Sequence, residues 1–170
     1  MDGGLRMSTL KFNKWQSIDG VTRNAVLQVV YQENFGYSNT FFTTTSATFA
    51  DATNMSATIT PTSATSKIMI ESVGGGLLIG SATSAGFRLL ANDVVVWTSD
   101  RWGYTNSSSW VAVNWGSKTI HSPATTSPVT YKFQIMATAG TSPQARIGDT
   151  SSGSSSELTY TAVILTEIAQ

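Results

Sequence analysis

The chain has no cysteine and only one histidine, His121. Without thiols there is no disulfide framework, no thiolate metal site and no thiol nucleophile, so stability has to come from packing. One imidazole leaves a catalytic triad without a choice of base, and zinc without its three or four good ligands. Beside a proline-containing turn, His121 is expected to be an ordinary strand-end residue. Charge is also scarce: charged side chains are 12% of the 170 residues, about half the usual quarter. Ten basic groups balance ten acidic ones, which leaves no electrostatic footprint for a phosphate backbone or an anionic membrane. Neither nucleic acid nor membrane is an expected partner. The carboxylates are scattered singly, with no Asp-x-Asp spacing for calcium. No cofactor is implied and no metal is expected. A glycosidase would have to assemble its two acids from distant strands, and with so few acids the expectation is that the chain is not an enzyme. No apolar run approaches the length of a membrane span, and Met1 to Met7 has no apolar segment of the signal-peptide kind behind its one Arg.

What is present is alternation. In Val129 to Thr138, Val129, Tyr131, Phe133, Ile135 and Ala137 point one way, and Thr130, Lys132, Gln134, Met136 and Thr138 the other. Such a strand has one apolar wall that a second layer must cover, and a sandwich of sheets does this economically. Met136 falls on the outward wall, so a charge placed there is expected to disturb assembly rather than folding. Further strands are expected at Ala25 to Gln32, Met55 to Thr60, Lys67 to Val73, Trp110 to Asn114, Lys118 to His121, Ala145 to Ile147 and Leu158 to Ile168. Leu158 to Ile168 is apolar on both faces over Ala162 to Leu165, so it is either central or covered on one side by another chain. Gly74-Gly75-Gly76 marks a bulge or kink that lets a long strand change direction or sheet. Asn92-Asp93 marks a two-residue hairpin turn. If Ala91 opposes Val94, then Leu90 faces Val95 and Arg88 faces Trp97.

The pattern of eight to ten short strands predicts an all-β fold, an antiparallel β-sandwich of jelly-roll-like type. Residues 1–24 form an expected lead-in and anchoring arm, and residues 25–170 the sandwich domain. Leu10, Phe12 and Trp15 put large apolar groups on a stretch too short to bury them alone. The arm therefore docks either on its own sandwich or on a neighbour. Asp100 to Ser109 is expected to be a polar loop, and Trp102, Tyr104, Trp110 and Trp115 lie close together among Asn and Ser residues. Two readings stand: a surface that stacks on a host glycan, or core and subunit-contact residues. A surface this poor in charge is a weak guard against self-association.

Several passages together resemble small virion structural proteins of bacteriophages, particularly those of cyanobacteria and other aquatic hosts. These are Ser8-Thr-Leu-Lys11, the Asp19-Gly20 turn followed by Ala25-Val-Leu-Gln-Val-Val30, Thr58 to Ser63 with Ser66 to Ile70, Tyr131-Lys-Phe-Gln134, and Glu167-Ile-Ala-Gln170. The resemblance implies a jelly-roll-like sandwich, usually a homotrimer, displayed on a capsid or a fibre. It carries over no catalytic residue, and the Trp-rich segment lies outside it. The expected role is a capsid decoration or cement protein at the virion surface, with the major capsid protein or another virion protein as partner. The alternative is a tail-fibre or receptor-binding tip that recognises host glycan.

Overall fold

The computed structural model describes residues 25–35, 42–74, 76–80, 84–104, 111–114, 116–138, 145–147 and 161–170. Their regular structure is entirely β. One sheet has the order β1 (Val26–Phe35), β12 (Thr161–Ile168), β4 (Lys67–Gly74), β9 (Ser117–His121). The second has the order β3 (Ala50–Ile59), β10 (Val129–Ala137), β6 (Ser84–Ala91), β7 (Val94–Tyr104). Counted along the chain, the eight strands of these two sheets fall in the orders first, eighth, third, sixth and second, seventh, fourth, fifth. Two Greek keys wound over facing antiparallel sheets give this order, so the fold is a jelly-roll sandwich.

A third, small sheet has the order β2 (Phe42–Thr44), β11 (Ala145–Ile147), β5 (Gly76–Ile79), β8 (Val111–Asn114). Each of its strands lies in one of the four connections that cross between the main sheets at one end of the sandwich. Its order repeats that of the parent strands β1, β12, β4 and β9. The glycine run does mark a change of sheet: β4 ends in the first sheet at Gly74, and β5 opens in the small one at Gly76.

The expected apolar wall forms the core. Val129, Tyr131, Phe133, Ile135 and Ala137 are buried, facing Phe87, Leu89, Met55 and Ile59 of their own sheet's inner face and Ile68, Ile70, Val163 and Leu165 of the other. β12 is an interior strand between β1 and β4, as its two apolar faces require.

Three expectations are corrected. The Asn92-Asp93 turn does form with positive φ at both residues, 45° and 68°, and Ala91 pairs Val94 and Leu90 pairs Val95. Beyond that the register slips by one residue, so Leu89 meets Trp97 and Arg88 meets Thr98. A bulge at Val96 lets Trp97 pack against the core, and the Arg88 guanidinium lies 4.0 Å from the centre of the Phe49 ring instead. Second, Asp100 to Tyr104 is not loop but the last part of β7. Third, Met136 is 8% exposed. Gly86 pairs with it across the ladder, and a Cβ on Gly86 would lie 2.7 Å from Met136 Cε. The thioether fills the hollow that the missing side chain leaves, so a charge at Met136 would act on folding.

The turn is fixed from three sides. Asn92 N donates to Thr130 O at 2.9 Å, Thr130 N donates to Asn92 Oδ1 at 2.9 Å, and Lys132 Nζ reaches Asp93 Oδ1 at 2.7 Å. Replacing Asn92 and Asp93 by Val should destabilise the domain by about 3 kcal/mol, since each non-glycine residue held left-handed costs about 1–2 kcal/mol and the Asn92 bond is lost as well. Urea unfolding checks this, and Asp93→Gly alone should keep wild-type stability.

Candidate assembly surface

The two main sheets have unlike outer faces. On the second sheet the face is polar and internally bonded. Thr58 and Thr130 share a hydroxyl hydrogen bond of 2.8 Å, Gln134 Nε2 donates to Asp51 Oδ1 at 2.6 Å, and Lys132 Nζ lies 2.9 Å from Asp51 Oδ2. These bonds from Gln134 and then Lys132 hold the Asp51 carboxyl below its ordinary range, and Asp93 followed by Asp51 raises the Lys132 ammonium.

The outer face of the first sheet is different. Side chains at alternate positions of its four strands line up in rows given by the register. One row is Val29, Thr166, Met69, Ile120; the next is Tyr31, Ile164, Glu71, Lys118; a third begins Val26, Ile168, Lys67. Val26, Val29, Tyr31 and Ile120 are between 51% and 61% exposed, whereas Ile164, Ile168 and Met69 are half-buried. Glu71 and Lys118 pair at 2.9 Å, which cancels their charge within the face. The row Val29, Thr166, Met69, Ile120 is therefore uncharged from the β1 edge to the β9 edge, with its exposed apolar members on those two edge strands. Single exposed apolar residues need no explanation, but a row of them on one face marks an interaction site.

The sheet beneath is held by a buried acid. Glu167 is completely buried at the inner end of β12. Its Oε1 accepts from Thr62 N and Thr62 Oγ1, both at 2.8 Å, and its Oε2 accepts from Gln28 Nε2 at 2.6 Å. Gln28 also donates to Thr60 O at 2.7 Å. Burial alone would raise this carboxyl, but the groups around it outweigh burial and hold it below the ordinary range. They are Ser66, Gln28 and Thr62; the Ser66 hydroxyl acts as a nearby dipole outside hydrogen-bond geometry. The edge strand β1, the 60–66 loop and β12 are thus tied at one point. His121, at the end of β9, meets Tyr131 of the other sheet: Nδ1 lies 2.9 Å from the phenolic oxygen and the rings meet edge to face at 5.8 Å. Burial lowers the imidazole pKa and pushes the phenol up to about 12, so both are neutral near pH 7. His121 is a strand-end residue whose bond joins the two sheets.

No protein-family model matches the chain. No curated protein matches it either. Several solved structures show a distant likeness, among them two of infectious bursal disease virus. One is the structure of the infectious bursal disease virus Gx strain, at 13% identity and a TM-score of 0.38, over 96% of this chain and 43% of that one. The other is the VP2 subviral particle of infectious bursal disease virus, at 15% identity and a TM-score of 0.35, over 94% of this chain and 43% of that one. The chain spans less than half the length of either.

Of the candidate site residues singled out in the sequence only the Tyr104 side chain is described, and it belongs to the second sheet, not to the apolar row. Tyr104 ends β7, 61% exposed, with the Arg101 guanidinium 5.9 Å from its ring centre. Trp102 lies two residues earlier on the same strand; its side chain, with Trp110 and Trp115, lies outside the described residues. So do Leu10, Phe12 and Trp15 of the arm. Among the described residues no group of three His, Cys, Asp or Glu could hold a metal. The row itself was signalled by Ala25-Val-Leu-Gln-Val-Val-Tyr31, which is apolar on both faces although β1 is an edge strand.

Proposed function

We propose that this chain is a structural, non-enzymatic surface protein of a bacteriophage virion, a homotrimeric decoration or cement protein whose apolar first-sheet face is covered by neighbouring subunits. The observation that carries this is the contrast between the two outer faces. One carries a hydrogen-bonded polar network, while the other exposes Val26, Val29, Tyr31 and Ile120 on its two edge strands, β1 and β9. A monomer would leave those side chains in water, whereas a cyclic assembly buries them. The phage attribution rests on the sequence resemblance in the strands and turns. The low charge fits a surface meant to be covered, with the major capsid protein or another virion protein beneath the trimer. The tail-fibre reading depends on the aromatic cluster, whereas the decoration reading rests on the exposed apolar side chains of the first sheet, and is the one preferred.

Val29→Lys combined with Ile120→Lys tests the assembly. Both positions are 57% exposed, so the variant should fold with a wild-type circular dichroism spectrum. Light scattering should give the chain mass of 18.1 kDa where the wild type gives a threefold multiple. A monomeric wild type, or a variant that stays trimeric, would overturn the proposal.

A further inference from the structure

Among the described residues eight large apolar side chains are exposed, and all but Tyr104 fall into two patches on opposite sides of the sandwich. Val26, Leu27, Val29 and Tyr31 lie on β1, at one edge of the first sheet, and Ile120 lies on β9, at the other. Beside Ile120 a groove of about 310 Å³ opens between the sheets, lined by His121, Pro123, Val129 and the exposed Val94 and Val95 of β7. From β1 to β9 is three strand spacings, about 14 Å, so neither patch can cover the other within one chain. The patches also differ in shape. Val26 pairs Ile168 and Gln28 pairs Glu167, which makes Leu27 the extra residue of a β-bulge. One patch therefore carries a knob and the other a hollow.

We propose that the Leu27 bulge of each copy enters the groove of the next, so that three subunits join head to tail in a closed ring. The arrangement rests on the trimer proposed above and specifies which of its surfaces meet. Three observations select a second copy as the occupant. The first is level. Gln28 pairs Glu167, Glu167 pairs Ile68, and Ile68 pairs His121 of the groove wall, so knob and hollow stand at the same height along the strands. A head-to-tail contact closes into a ring when the step between copies is a pure rotation, and runs on as a filament when the rotation does not close; equal height needs no rise. The second is coverage. A two-fold contact sets a patch against its own copy and would leave the other patch in water, whereas a head-to-tail contact covers both at once. The third is charge. Toward the small sheet, Val29 and Tyr31 of β1 are followed on the same face by the exposed Glu33, and Ile120 of β9 by Lys118, whose side chain is 60% exposed. Setting one patch beside the other brings opposite charges together next to the apolar contact, where complementary charge fixes register.

The absence of cysteine allows a direct test that does not depend on a virion role. Leu27→Cys, Val95→Cys and the double variant, each in the full chain and each with a wild-type circular dichroism spectrum, are treated with a short bismaleimide and run on a denaturing gel. Both positions are exposed, and within one chain they lie on opposite sides of the sandwich, too far apart for the reagent to bridge. We expect the double variant to give a covalent trimer, with at least tenfold more cross-linked product than either single variant. Cross-linking of Leu27→Cys alone to the same extent would mean a two-fold contact and would overturn the proposal, as would a ladder running past three chains. Light scattering separates this result from the trimer itself. A wild type of threefold mass whose double variant cross-links no better than the single ones overturns the head-to-tail seating alone, whereas a wild type of 18.1 kDa overturns both.

Discussion

Tyr131→Asp should leave no folded protein. The Tyr131 ring is fully buried between Ala57 of β3 and Ala91 of β6, and its hydroxyl ties β10 to His121 on the opposite sheet. Truncating a buried aromatic side chain costs about 3–5 kcal/mol. A carboxylate in the same place adds several kcal/mol, whether it stays charged or takes up a proton. The total is comparable to the roughly 5–15 kcal/mol that holds a domain together. Circular dichroism should show a disordered chain at 25 °C. Tyr131→Phe, which keeps the ring and loses one neutral hydrogen bond, should cost about 1 kcal/mol. A cooperative melt of the Asp variant near the wild-type temperature would show that the sheet interface does not depend on this residue.

The second large effect is expected at Glu167. Replacement by Gln keeps the shape but turns one oxygen into a donor facing either Gln28 Nε2 or the Thr62 N–H and hydroxyl, which are donors themselves. Bonds to a charged acceptor are worth about 1.5–3 kcal/mol each, and a buried donor left unsatisfied is penalised further, so about 3 kcal/mol should be lost at pH 7. The pH dependence has a definite sign. The folded-state pKa lies below the ordinary value of 4.5, so the unfolded chain takes up the proton first. The stabilisation is complete above about pH 4.5 and is lost as the pH falls through the folded-state value. Urea midpoints measured from pH 7 downward should fall on the acid side for the wild type, and Glu167→Gln should lack that part of the slope. A variant with unchanged midpoint at pH 7 would mean that the 60–66 loop reorganises freely around this position.

Which features the sequence disclosed follows from how local their causes are. The wall of β10 and the two-residue turn at Asn92-Asp93 depend on neighbours one or two positions away, and both lie where alternation and turn chemistry put them. The Val96 bulge does not, because it is set by the need of Trp97 to reach the core. Met136 was misplaced for a related reason: alternation is right about its direction, but Gly86 on the adjacent strand opens a hollow that only pairing reveals. Glu167 gave a faint signal as a lone acid in Ala162-Val-Ile-Leu-Thr-Glu-Ile168, yet its partners Gln28 and Thr62 are more than a hundred residues distant. The strands of the small sheet are three or four residues long, too short for any period to show.

The place of β12 in the first sheet also bears on when the outer face of that sheet comes into existence. Among the described residues β1 has one main-sheet neighbour, β12, which is synthesised about 130 residues after it. At about 5–20 residues per second on the ribosome, the interval is on the order of ten seconds. During it β1 has no ladder, and the rows Val29, Thr166, Met69, Ile120 and Tyr31, Ile164 do not exist as a surface. This face is therefore the last feature of the main sheets to be completed, so nascent chains crowded on one message do not present its exposed apolar side chains to one another in finished form.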